Sequence, residues 1–112
     1  MTGDGSERLT NFVDEFVFSF EAWDILAFFA ANPGGGFSLA ELSRSIGRHP
    51  EELVPTVEKL AELGALVPAG DGHWILGGDS DFRSGLQDFA DAIDSKKGRL
   101  LVLTRLLGNL SR

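Results

Sequence analysis

Between residues 37 and 76 the rhythm of apolar positions changes twice, over the stretch FSLAELSRSIGRHPEELVPTVEKLAELGALVPAGDGHWIL. Leu39, Leu42 and Ile46 recur at helical spacing, and Val54, Val57, Leu60 and Ala61 do so again after a short break. From Ala65 the spacing becomes alternation, over residues 65–69 and 73–76, on either side of Gly70-Asp71-Gly72. The pattern predicts helix, tight turn, helix and β-hairpin. Local chemistry agrees: Ser38 and Glu41 make a Ser-x-x-Glu capping box, Gly47 suits the turn, and Pro50 suits the first position of the next helix. Gly64 stops that helix. Pro55 falls at its sixth position, where an N–H is normally bonded, and predicts an irregular first turn.

The flanks are helical too. Ser6 caps a predicted helix over residues 6–18 with Leu9, Phe12, Val13, Phe16 and Val17 on one face, after a Gly- and Asp-rich end expected to fray over residues 1–5. Ser19 caps a second, over residues 20–31, apolar nearly all round and therefore buried. The run Asn32-Pro33-Gly34-Gly35-Gly36 ends it and reads as a loop, since a phosphate-binding loop needs a Gly-Lys-Ser/Thr ending after a strand. Trp74 is expected to pack the hairpin onto the helices, and Trp23 with Phe28 and Phe29 to fill core rather than a small-molecule pocket. A linker precedes one last predicted helix, residues 79–108, capped by Asp79, Ser80 or Asp81.

Along that last helix Leu86, Ile93, Leu100 and Leu107 recur every seven residues, Phe89, Leu103 and Leu110 fill the intermediate positions, and Lys96 is the one exception. A heptad seam of this kind predicts a coiled-coil homodimer, completed by Phe12 and Phe16 of the first helix. Asp88, Asp91 and Asp94 lie in the first half and Lys96, Lys97, Arg99 and Arg105 in the second, so an antiparallel pair sets acid against base. The alternatives are that the seam packs on the chain's own core, or that the basic half meets Asp14 and Glu15 on the first helix. The whole is one domain, residues 1–112: mainly α with a small β-hairpin, a winged helix-turn-helix core over residues 19–76, and extra helices at both ends.

Composition narrows the chemistry. The chain lacks cysteine, which removes disulfides, thiolate metal sites and cysteine nucleophiles. Its longest apolar run, residues 25–31, is too short to span a bilayer, and the N-terminus lacks the basic and apolar regions of a signal peptide, so a cytoplasmic protein without membrane contact is expected. His49 and His73 have no metal-ligand spacing, and Asp79-Ser80-Asp81 lacks the glycine and glutamate of a calcium loop. Neither catalysis nor a cofactor nor a metal is expected. Net charge is −7, unevenly spread: residues 95–112 carry five basic groups and no acid, leaving residues 1–94 at −12.

Through SLAELSRSIG, TVEKLAELGALV and the GDG hairpin, residues 20–76 resemble the small winged-helix regulators of the MarR/ArsR type, bacterial homodimers that usually bind DNA. The resemblance implies a double-stranded DNA surface of Arg44, Arg48, His49, Thr56 and Lys59 with His73 on the wing, and Lys96, Lys97 and Arg99 as auxiliary cations. Two features oppose it. Glu51 and Glu52 open the helix that would enter the groove, where readers of base edges place Arg, Asn, Gln or Ser, and residues 50–63 hold four glutamates against one lysine. Acids there also stabilise a helix through its dipole and need no other role. DNA-linked regulation is the leading expectation; a winged-helix adaptor that offers its acidic helix to a basic protein is the alternative.

Overall fold

A computed structural model describes residues 3–112, with side chains placed from Glu7 onward. Among the described residues are six helices and one three-stranded antiparallel sheet. The first helix, α1 (Gly3–Phe16), starts earlier than Ser6, which is already helical and cannot cap it; Met1 and Thr2, part of the end expected to fray, lie outside the described residues. Ser19 does cap α2 (Phe20–Ala31), its hydroxyl accepting from the Ala22 N–H at 3.1 Å. Ile25, Leu26 and Phe29 of α2 are fully buried, as a helix apolar all round requires.

Next come β1 (Phe37–Ser38) and α3 (Leu39–Ile46). Ser38 and Glu41 close the capping box in both directions, at 3.1 and 2.9 Å. Gly47 turns the chain at φ 81°, a conformation open to glycine at little cost. The following helix, α4 (Pro50–Glu62), runs through Pro55 without a break, contrary to the irregular turn expected there. Its buried face is Leu53, Thr56, Val57 and Leu60, about one residue round from the expected Val54, Val57, Leu60 and Ala61. Val54 instead stands exposed and Ala61 half-buried, because the bulkier Leu53 takes the inward place.

After Gly64, β2 (Leu66–Pro68) and β3 (His73–Leu76) form the hairpin. β3 is the central strand: it pairs with β2 and, on its other side, with β1 through Phe37 opposite Trp74 and Ser38 opposite His73. This third strand has no local signal in the sequence. Trp74 packs against the core as expected.

The C-terminal half corrects the sequence reading most. The single helix over residues 79–108 is in fact two, α5 (Ser80–Ile93) and α6 (Lys96–Leu110). Asp79 caps the first and Ser95 the second, its hydroxyl accepting from the Gly98 N–H at 3.0 Å. α6 therefore folds back against α5, and both lie on α1. Leu86 and Phe89 go into the chain's own core with Phe12 and Phe16; the rings of Phe12, Phe16, Phe82 and Phe89 stack 4.8–5.8 Å apart. Gly85 makes room for this, since a Cβ there would meet the Phe12 ring at 2.6 Å.

The hairpin at residues 94–95 needs Gly98, where a Cβ would come within 1.9 Å of the Ala92 carbonyl oxygen. Gly98→Ala is expected to destabilise the fold by about 1–3 kcal/mol, as overpacking against rigid backbone does. Gly108→Ala, in open space on the same helix, is expected to be neutral or to stabilise by up to about 1 kcal/mol. Urea denaturation followed by circular dichroism measures both, and equal effects would remove the close approach as the cause.

Candidate functional site

The side chains expected to form a cationic DNA face do not come together as one. Arg48 turns towards α2, where its Nε donates to Asp24 at 2.8 Å and one terminal nitrogen to Glu21 at 3.4 Å. The Asp24 carboxylate raises the guanidinium's pKa further above its usual value and ties the α3–α4 turn to α2. Thr56, assigned to the DNA surface, is 6% exposed and belongs to the inner face of α4, which corrects that assignment. The Lys59 ammonium lies 4.5 Å over the ring of Phe18. His73 is flanked by acceptors, with Nδ1 3.1 Å from the Asp71 carbonyl and Nε2 3.4 Å from the Glu41 carboxylate. That carboxylate is held below its usual pKa, chiefly because the Ser38 backbone N–H donates to it.

Arg44 and His49 are exposed, Arg44 with no side-chain hydrogen bond or ion pair among the described residues and His49 as the N-cap of α4. Beside them the outward side of α4 carries Glu51, Glu52, Glu58 and Glu62 with Val54 and Pro55. Glu52 accepts from the His49 N–H at 3.0 Å, so one of these acids has the structural task of capping its helix. With Lys59 as the one cation on this helix against those four glutamates, the outward side of α4 carries net negative charge.

The residues of the expected dimer seam separate into two groups. Phe12, Phe16, Leu86 and Phe89 are buried within the chain and offer nothing to a partner, which corrects their assignment to an interface. Ile93 and Leu103 are half-buried, while Leu100 and Leu107 are 61% and 47% exposed. Leu101 and Leu110, at 55% and 51%, join them on α6. The expected antiparallel coiled coil, with acid set against base along one continuous helix, is not available, because the two halves of that helix lie against each other. Its charge argument is met inside the chain instead. Arg105 binds Asp14 of α1 in a fork, with Nε at 2.8 Å and a terminal nitrogen at 2.6 Å, and Asn109 adds a third bond to Asp14 at 2.8 Å. Arg8 likewise reaches across to Asp88 of α5. Among the described residues Glu15 makes no such contact.

One concave surface adjoins the exposed leucines. Between α2 and the start of α6 lies a groove of about 370 Å³ with Phe20, Trp23, Leu100 and Leu103 as its apolar lining. Lys96 and Arg99 line it as well, and Arg48 and Asp24 complete it from the α2 side. Trp23 is fixed by an edge-on contact with Phe89, ring centroids 5.7 Å apart. Trp23, expected in the core, packs against it and lines the groove as well, whereas Phe20 and Leu101 belong to no site expected from the sequence; a Ser-x-x-Gly cap at Ser95 is the signal that points to the break exposing this face. Among the described residues the side chains of Lys96 and Lys97 make no hydrogen bond or ion pair, and that of Arg99 meets only the Ile93 carbonyl, at 3.0 Å.

Among the described residues no three His, Asp or Glu side chains are grouped to hold a metal ion, and no helix is long and apolar enough to cross a membrane. Compared with family models, curated proteins and solved structures, the chain matches none.

Asp14 gives the clamp on α1 a measurable signature. Hydrogen bonding from Arg105 lowers its pKa from 3.8 to about 2. A carboxylate depressed on folding stabilises the native state above its unfolded pKa and ceases to do so as pH falls through the folded one. Stability is therefore expected to fall between about pH 5 and about pH 2, and Asp14→Asn to flatten that part of the profile. Denaturant midpoints across this range test it; an unchanged slope in the variant would dissociate the clamp from acid sensitivity.

Proposed function

We propose that this chain is a winged-helix protein that acts by binding another protein rather than by reading DNA. The succession α2, β1, α3, α4, β2 and β3, with the hairpin joined to β1 in one sheet, supports the winged-helix reading. Fold alone assigns no partner, so the choice rests on surface chemistry. The observation that carries it is the set of leucines left in solvent on α6, next to an apolar groove. Burying a leucine side chain is worth about 1.5–3 kcal/mol, so four of them half exposed on one helix mark a contact surface.

Charge weighs the same way. DNA affinity depends on cations that neutralise phosphate. Here Arg48 is already neutralised by Asp24 and Glu21, Lys59 sits over Phe18, and α4 turns glutamates outward. Exposed Arg44 and His49 are the features of this region that favour DNA-linked regulation. The proposal includes no catalysis, metal or cofactor. A second copy of the chain, acting through α6, is the competing protein partner.

Electrophoretic mobility shift on random duplex at low salt tests the choice between DNA and protein. No retardation is expected up to about 50 µM protein, a concentration at which ordinary non-specific binders are retained. Retardation that weakens steeply with salt and is lost in Arg44→Ala would overturn the proposal.

A further inference from the structure

The partner's chemistry can be read from the same surface, on the premise that the chain is a protein-binding module. We infer that the α2–α6 groove and the leucine stripe beyond it receive an acidic amphipathic helix from another protein.

Size argues for a helix. Leu100, Leu103, Leu107 and Leu110 follow one another at intervals of three, four and three residues, the spacing of one helix face. From Leu100 to Leu110 the stripe runs for roughly 15 Å, about three helical turns. A small molecule could fill the groove at Phe20 and Trp23 but would leave Leu107 and Leu110 in water. A helix laid along α6 with apolar residues at i, i+3, i+4 and i+7 covers both.

Charge argues for acid. Lys96 and Arg99 line the groove and Lys97 stands beside them in the first turn of α6; among the described residues none of the three forms an ion pair. They occupy the first turn of α6, the positive end of its dipole, where cations are unfavourable and no acid offsets them. Negative side chains on a partner helix relieve both conditions. A second copy's α6 does not: α6 has no acid, so it brings only further cations. A basic partner is repelled for the same reason.

The test uses two fluorescein-labelled helical peptides of about 18 residues with leucines at i, i+3, i+4 and i+7, one with glutamate and one with lysine at the polar positions. Fluorescence anisotropy against the full chain is expected to show binding of the glutamate peptide that weakens with salt, and at least tenfold weaker binding of the lysine peptide. Lys96→Glu combined with Arg99→Glu is expected to reverse that preference. Leu107→Ala is expected to reduce affinity about fivefold with thermal midpoint and helicity unchanged, Leu107 being half exposed. Equal binding of both peptides, binding of neither, or a dimer in sedimentation that Leu107→Glu dissolves would each overturn the inference. These outcomes leave the protein-binding reading in place; a duplex shift dependent on Arg44 would remove that reading whatever the peptides do.

Discussion

The fold depends on how tightly the chain reverses between α5 and α6. The Ser95 hydroxyl accepts from the Gly98 N–H in the first turn of α6, and Gly98 lets the backbone of α6 rest on the Ala92 carbonyl. That reversal places Phe82, Leu86 and Phe89 on one side of α1 and Val102 and Leu106 beside them, so the three helices share one interior. A straight helix would leave half of these side chains in water and make a partner obligatory. Because the helix bends, the chain closes its own core and exposes a shorter leucine face.

Charge is distributed around this interior in an orderly way. Most of the interhelical arginines are spent within the chain: Arg8 on Asp88, Arg48 on Asp24 and Glu21, Arg105 on Asp14. Exposed pairs of this kind contribute little energy each, but they fix which way helices face. They also remove from the surface the cations a polyanion would need. Among the described residues, the cations left without an ion pair include the cluster at the start of α6 and Arg44 at the end of α3. An acidic body with one cationic, leucine-bearing corner is the result.

The parts of the molecule legible in the sequence are those written in local chemistry. Ser19, Ser38, Gly47, Gly64 and Asp79 each mark a boundary that the structure places within a residue or so of expectation. Features set by distant contacts were hidden. β1 exists because Phe37 meets Trp74, and the use of Arg48 depends on Asp24 across the turn; neither pairing leaves a trace along the chain. The inward face of α4 was off by one residue because Leu53 and Val54 fit either stripe, and packing chose the larger. The seven-residue repeat misled for a different reason. Two helices of nearly whole-heptad length, joined by a two-residue reversal, keep the repeat in register although no single helix carries it.

Trp23 and Trp74 occupy different parts of this architecture, one on the groove beside α6 and the other in the central strand of the sheet. The chain has no tyrosine, so these two indoles account for nearly all of its near-ultraviolet absorbance. With either one replaced by phenylalanine, the emission of the other reports on a single region: solvent entry at the groove, or fraying of the strand pairing. The molecule thus carries its own pair of optical probes, one in the groove and one in the sheet, which distinguish events in the two regions without any added label.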